Sequence, residues 1–337
     1  MKVTDRRGTA RSGLRLTALG AGTSAIGGLY EAVDEPTAAA TLEAAWNAGL
    51  RYFDTAPYYG YTLSEQRLGA LLRELPRDEV VVSTKVGRLM QPDASVRAGD
   101  DGWATPLPFR PVFDYSRDAV LRSFEDSRRR LGLERIDLVL VHDIGRMAHG
   151  ERHSTHWDAL TRGGGFRALE QLRAAGLIRA FGLGVNEVRA VRDAMNEVQL
   201  DCTLLAGRYT LLEQGALALL DDCAERGTGV VIGGPFNSGL LAGQRKFEYR
   251  DASAELLARA DALRAACASH GVALEAAALQ FPLGHRAVVS VVTGMRSPAE
   301  VRANIDLFER PIPAALWDDL RERGLLAPNA PCPENPA

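Results

Sequence analysis

The sequence predicts an α/β fold: a (β/α)8 TIM barrel with an N-terminal β-hairpin plugging one mouth and two helices beyond the eight. Three observations carry this. Eight short apolar runs alternate with amphipathic stretches along most of the 337 residues. The runs are mostly continuous rather than alternating, as parallel strands covered on both faces are. The glycines of LGAGTSAIG (19–27) lack the G-x-G-x-x-G spacing, and the helix opening on it, that would mark an open doubly wound sheet.

In chain order, KVTDRRGTARSGLRLT (2–17) reads as the hairpin. Strands follow at LTALGAG (16–22), RYFDTA (51–56), VVVSTKVG (80–87) and DLVLVHD (137–143). AFGLGVN (180–186), CTLLAG (202–207), GVVIGG (229–234) and VSVVTG (289–294) complete the eight. Between them, stretches such as EPTAAATLEAAWNAG repeat Leu and Ala at helical spacing, and Gly49 stands where a helix C-cap precedes strand two. The surplus helices fall at about 254–269 and 314–323. The segments after strands three and four, 88–115 and 143–164, are long and rich in Gly, Pro and aromatics, a length that usually carries function. Residues 1–325 are expected to form one barrel domain, and the proline-rich 326–337 a frayed tail.

With 46% hydrophobic and 25% charged residues and a net charge of −3, nothing in the composition calls for nucleic acid or an anionic membrane. Cys202, Cys223, Cys267 and Cys332 are scattered, without a C-x-x-C pair, which fits a reducing cytosol. No apolar run approaches the roughly 20 residues of a membrane span, and the N-terminus lacks a signal peptide's apolar region. The expectation is a cytoplasmic protein.

The chemistry starts at FDTAPYYG (53–60), where a hydrophobic strand ends in an aspartate. A carboxylate placed there needs a cation. In a parallel barrel the C-terminal strand ends converge on one rim. Strand two brings Asp54 and, a few residues on, Tyr59; strand three brings Lys85, strand four His142 and strand five Asn186. Singly, each has an ordinary structural explanation. Together they let Lys85 meet Asp54 and favour the phenolate of Tyr59, lowering a pKa that is ordinarily about 10. His142 can bond and orient the same substrate oxygen. With no nucleophile–base pair and no metal cage, what remains is a proton relay at a carbonyl or alcohol oxygen, which suits hydride transfer to a nicotinamide.

From about residue 12 to 325 the chain resembles the aldo-keto reductase superfamily. FDTAPYYG…SEQRLG, STKVG, DLVLVHD and GLLAG look like that family's blocks in its order, and the family's catalytic Asp, Tyr, Lys and His fall on Asp54, Tyr59, Lys85 and His142. Tyr58 is read as packing. The resemblance implies a nicotinamide nucleotide held across strands five to eight by Asn186, Phe236, Gly239, Leu241, Gly294, Arg296, Glu300 and Asn304. Departures stand beside the match. No serine precedes Asn186, no amide follows strand six, and Phe236 is offset from the slot of a stacking aromatic. Gly294 and Glu300 take positions that are basic in NADP-preferring members, leaving Arg296 as the cation, which points to NAD over NADP. Ser297-Pro298-Ala299-Glu300 is equally a capping box.

PVFDYSRDAVLRSFEDSRRRLGLERIDLVLVHD and FNSGLLAG resemble the bacterial branch of L-fucose and D-threo-aldose 1-dehydrogenases, with pyridoxal 4-dehydrogenase-like enzymes nearby. The implied reaction oxidises a sugar hemiacetal at C1 to the lactone. Trp103, Phe109 and Phe113 either close over the sugar or pack their loop down. Thr62 stands where that branch has glycine. A pyridoxal dehydrogenase, a broad carbonyl reductase and a non-catalytic cofactor-binding barrel are the alternatives. His149, His153 and His156 read as loop residues, and no metal is expected.

Overall fold

In the computed structural model, which describes residues 1–248 and 250–334, eight parallel strands close into a barrel. They are β1 (Leu19–Gly22), β2 (Tyr52–Asp54), β3 (Val81–Val86) and β4 (Ile136–His142). β5 (Ile178–Val185), β6 (Cys202–Ala206), β7 (Gly229–Gly233) and β8 (Val288–Gly294) follow. Each strand pairs with the next in the chain, and β8 returns to β1.

The two-residue period of a strand sorts the side chains into two cores. Phe53, Val82, Val86, Val139 and Val141 point outward into the layer beneath the helices. Tyr52, Val81, Leu138, Leu140, Ala180 and Cys202 point inward and form a separate cluster in the barrel. Counting upward by twos, the inward set turns polar at the C-terminal rim: Tyr52 leads to Asp54, Val81 to Ser83 and Lys85, and Leu138 to Leu140 and His142.

The opposite mouth is plugged. The hairpin Arg6–Gly8 and Arg15–Thr17 contributes Leu14 and Leu16, both fully buried, to the inner cluster. Arg7 Nη1 donates to the carbonyls of Leu283 at 2.6 Å and Val288 at 3.2 Å, fastening the hairpin below β8. The run expected as one strand over 16–22 is therefore two elements: residues through Thr17 belong to the plug, and the barrel strand begins at Leu19. Both surplus helices are present, at Ala254–Ser269 and Ala314–Glu322.

Other expectations change. The segment 88–115 carries its own antiparallel pair, Arg88–Pro92 with Phe109–Phe113. The segment 143–164 holds helices Arg146–His149 and His153–Leu160, so its histidines are helical. The chain end is not frayed over its described part: Leu326 and Ala330 are buried, and Arg321 Nη2 donates to the Ala330 carbonyl at 3.2 Å. Residues 335–337 lie outside the described residues. Among the described residues no helix is long and apolar enough to cross a membrane.

Leu14→Ala should cost about 2–5 kcal/mol, read by urea denaturation, because the plug fills the barrel floor. A loss below about 1 kcal/mol would show that the floor does not depend on it.

Candidate active site

At the rim, Lys85 Nζ donates to Asp54 Oδ2 at 2.8 Å and to the Thr55 carbonyl at 2.9 Å. Ser83 Oγ donates to Asp54 Oδ1 at 2.6 Å, so both carboxylate oxygens are satisfied. The pair is deeply buried, at 2% and 4% side-chain exposure. Burial by itself would push the Lys85 ammonium down, but Asp54 and Tyr59 outweigh it and hold Lys85 above its ordinary value. Its stem fits because residue 184 on β5 is glycine: a Cβ there would come 3.3 Å from Lys85 Cε and 3.4 Å from Leu140 Cβ.

Lys85 Nζ lies 4.6 Å from the centre of the Tyr59 ring. The His142 ring stands edge-on to Tyr59, centroids 6.1 Å apart. Burial, then the positive charges of Arg88 and Lys85, hold the His142 imidazole well below its usual range, so it is neutral near pH 7. Its Nδ1 is buried without a protein partner. The Tyr58 ring also meets His142, at 6.2 Å, but it lies under the guanidinium of Arg88 at 4.0 Å, and burial raises its phenol. The tyrosine beside the ammonium is thus Tyr59.

Two cavities flank this cluster. The larger, about 850 Å³, runs over the ends of β6, β7, β8 and β1 and is lined by Asn186, Phe236, Gly239, Gly294, Arg296 and Glu300 among others. The smaller, about 410 Å³, is lined by Tyr58, Arg88, Asp101, Phe113, Asp143 and Asn186 among others. Asn186 borders both. The four clustered side chains line neither; Trp103, 2% exposed, packs on the rings of Tyr58 and Tyr59 at 5.4 and 5.9 Å. Its loop is tied down by a β-bridge between Leu29 and Trp103 and by Tyr30 N–H donating to the Gly102 carbonyl.

Of the expected cofactor contacts, Leu241 does not reach the cavity. It is fully buried in the core, and its N–H is spent on the Phe236 carbonyl at 3.1 Å, because the turn after Gly239 points it inward. Asn304 sits just behind the wall, its Nδ2 donating to Thr293 Oγ1 at 3.3 Å. Phe109 lies at the far end of its hairpin, opposite Pro92, and lines neither cavity. Trp103 and Phe113 do reach the site. Glu300 makes a modified capping box: Ser297 Oγ accepts from its N–H, while its carboxylate accepts from Arg296 N–H at 3.0 Å.

Several polar residues were not anticipated. Arg208, after β6, donates from Nε to the Asn186 carbonyl at 2.6 Å and pairs with Glu248. Glu31 reaches across the larger cavity to pair with Arg296. Arg88, directly behind STKVG, pairs with Asp143, the residue after His142. Only the adjacency of these last two to quoted motifs gave any signal. Thr62, where glycine was expected, has φ 84°, its N–H donating to the Pro57 carbonyl at 2.7 Å and its Oγ1 accepting from Gln66 Nε2 at 3.0 Å. The His149 and His156 ring centroids lie 4.2 Å apart, and Tyr115 OH contacts His149 Nε2 at 2.9 Å. Among the described residues no group of three or more metal-type side chains is assembled.

The larger cavity has the size of a ligand cleft, about 300–1,000 Å³. Gly207 and Gly234, both at positive φ, leave its wall as open backbone, and Arg208 and Arg296 line it, each already paired with a carboxylate. These residues fit a dinucleotide.

The model of the aldo/keto reductase family matches residues 18–323. A pyridoxal 4-dehydrogenase from Microbacterium luteolum is 52% identical over 344 aligned positions, covering 97% of this chain and 99% of its own. A D-threo-aldose 1-dehydrogenase from a Pseudomonas species is 43% identical, covering 94% and 97%. In fold, the chain is similar to an aldo-keto reductase from Bacillus halodurans in its holo form, with TM-score 0.73 and 24% identity over 95% and 96% of the two chains.

Asp54→Ala should destabilise the protein by about 3–5 kcal/mol by stranding a buried ammonium. Adding Lys85→Met should recover much of that in the same denaturation measurement. Additive losses would mean that the two side chains are not coupled.

Proposed function

The chain belongs to the aldo/keto reductase family and is an oxidoreductase acting on a CH–OH/C=O group with a nicotinamide nucleotide; on that premise we propose that it oxidises a cyclic hemiacetal to a lactone. The observation that carries this reading is a tyrosine set beside a buried, carboxylate-anchored ammonium, between a dinucleotide-sized groove and a polar cavity.

A bound nicotinamide supplies the hydride-accepting ring. As the C–H bond of the hemiacetal carbon is broken, the proton on its hydroxyl must leave, and Tyr59 takes it. Lys85 eases that step by favouring phenolate, and Asp54 holds Lys85 in place. Neutral His142 bonds the same oxygen and fixes its direction. The proposed cofactor contacts are Asn186, Phe236, Gly239, Gly294, Arg296 and Glu300, with Asn304 bracing the end of β8. Arg296 is neutralised by both Glu31 and Glu300, which leaves little positive charge for a 2′-phosphate and supports NAD over NADP.

An aldose of the L-fucose or D-threo type is the proposed substrate. Asp101, Asp143, Arg88 and Asn186 give the smaller cavity both donors and acceptors for ring hydroxyls, and the indole N–H of Trp103 is buried without a protein partner. Pyridoxal is the second reading, favoured by the 52% identical relative and by the aromatic walls Tyr58 and Phe113. Pyridoxal carries an aldehyde beside a hydroxymethyl group and closes to a hemiacetal, so both substrates present the same reacting centre.

The test is initial-rate absorbance at 340 nm with NAD or NADP and L-fucose, D-arabinose, L-galactose, L-xylose or pyridoxal. Tyr59→Phe should lose about 10²–10⁴-fold in kcat. Turnover with pyridoxal alone keeps the chemistry and exchanges the substrate; silence with every pair, and with NADPH and simple aldehydes, removes the catalytic reading. Glu31→Gln with Glu300→Gln should raise the NADP-to-NAD ratio of kcat/KM by about tenfold, and an unchanged ratio would clear these carboxylates of any part in cofactor choice.

A further inference from the structure

Strand β4 ends on His142, and the next residue turns back with Asp143 at φ 48°. That turn brings a carboxylate beside the imidazole: Asp143 Oδ2 lies 3.6 Å from His142 Nε2. The separation is too long for a hydrogen bond but short enough for charge to matter. A carboxylate this close to a buried ring, left to itself, would favour its imidazolium form. It is not left to itself, because Arg88 Nη2 pairs with the same Oδ2 atom.

Arg88 is built in rather than draped over the surface. It is 9% exposed, and its guanidinium lies 4.0 Å from the Tyr58 ring centre and 4.9 Å from that of Phe113. Arg88 heads the first strand of the hairpin after β3, with Phe113 directly opposite in register. The remaining groups around His142 can be enumerated. Lys85, on β3, is a second cation. Tyr58 and Tyr59, from the loop after β2, meet the ring edge-on at 6.2 and 6.1 Å. Tyr115 OH donates to the His142 carbonyl at 2.8 Å and contacts His149 Nε2. Among the described residues, Asp143 is thus the one carboxylate against the ring, and a cation already holds it.

We propose that Arg88 is a positioning residue: by holding Asp143, it keeps His142 a neutral imidazole directed at the substrate oxygen instead of an imidazolium directed at Asp143. This rests on the reading above, in which His142 acts at that oxygen. It also assigns the hairpin after β3 a part in the chemistry, since Arg88 lies on that insertion and not on a barrel strand.

The experiment is histidine NMR on the full-length protein labelled at Cε1 of its six histidines, with His142 identified by the signal lost in His142→Gln. In the wild type the His142 signal should stay that of a neutral ring through the range where ordinary histidines titrate. In Arg88→Met its titration should shift upward, against the burial and the Lys85 charge that still oppose protonation. Arg88→Met with Asp143→Asn should return it to neutral, and Arg88→Lys should keep it so. Where Arg88→Met does not fold, Arg88→Gln, which removes the charge and keeps a hydrogen-bonding group, gives the same reading. The pH profile of kcat/KM should follow, with Arg88→Met losing about tenfold relative to wild type between pH 8 and 6, and the double variant regaining it. A His142 signal unmoved by Arg88→Met or Arg88→Gln, or moved equally in the double variant, overturns the proposal. Because the NMR reads the resting protein, that outcome is separate from a failure of turnover, which would count against the proposed reaction instead.

Discussion

The Asp54–Lys85 ion pair is the constraint on which the site is arranged. Two charges taken out of water are costly, and their attraction repays the cost only when geometry is good and the remaining hydrogen-bonding positions are filled. The barrel meets both conditions with neighbouring strands. β2 supplies the carboxylate, β3 the ammonium and, two residues earlier, the Ser83 hydroxyl for the second carboxylate oxygen. β5 supplies a glycine that leaves room for the lysine stem. With Lys85 fixed in this way, Tyr59 and His142 are placed about it by ring packing rather than by loop conformation alone.

Much of this was legible in the sequence because strands are local objects. Short apolar runs ending in Asp54, Lys85, His142 and Asn186 locate themselves, and barrel geometry then brings their ends together. The hairpin plug and both surplus helices were readable for the same reason. What escaped was long-range or conformational. The boundary between plug and first strand falls inside one apolar run, and composition does not mark it. Leu241 follows a glycine motif, yet a turn directs it into the core. Arg88, Arg208 and Glu31 each find a partner more than 30 residues away, through loops whose path no periodicity encodes.

The proline-rich end shows the same limit from another side. Its composition reads as a frayed terminus, but Leu326 and Ala330 are buried against the barrel, and Gly284 lies where a Cβ would strike the Pro331 carbonyl at 2.4 Å. Proline lowers the entropy lost when such a segment is laid down, so a sequence poor in regular structure can still be well placed. The loops bordering the larger cavity carry charges of both signs that largely satisfy one another. Such a rim is close to electrically neutral and selects by local pairing more than by overall field.

The hairpin after β3 has a consequence for descent. Its strands pair with each other and not with the barrel, so its sequence can drift without disturbing the parallel hydrogen-bond ladder beneath it. The groups proposed to move the proton sit on barrel strands and one short loop, whereas much of the wall of the smaller cavity hangs from the insertion. A lineage can therefore exchange one small molecule for another by rewriting the canopy beyond Arg88 while inheriting the machinery underneath.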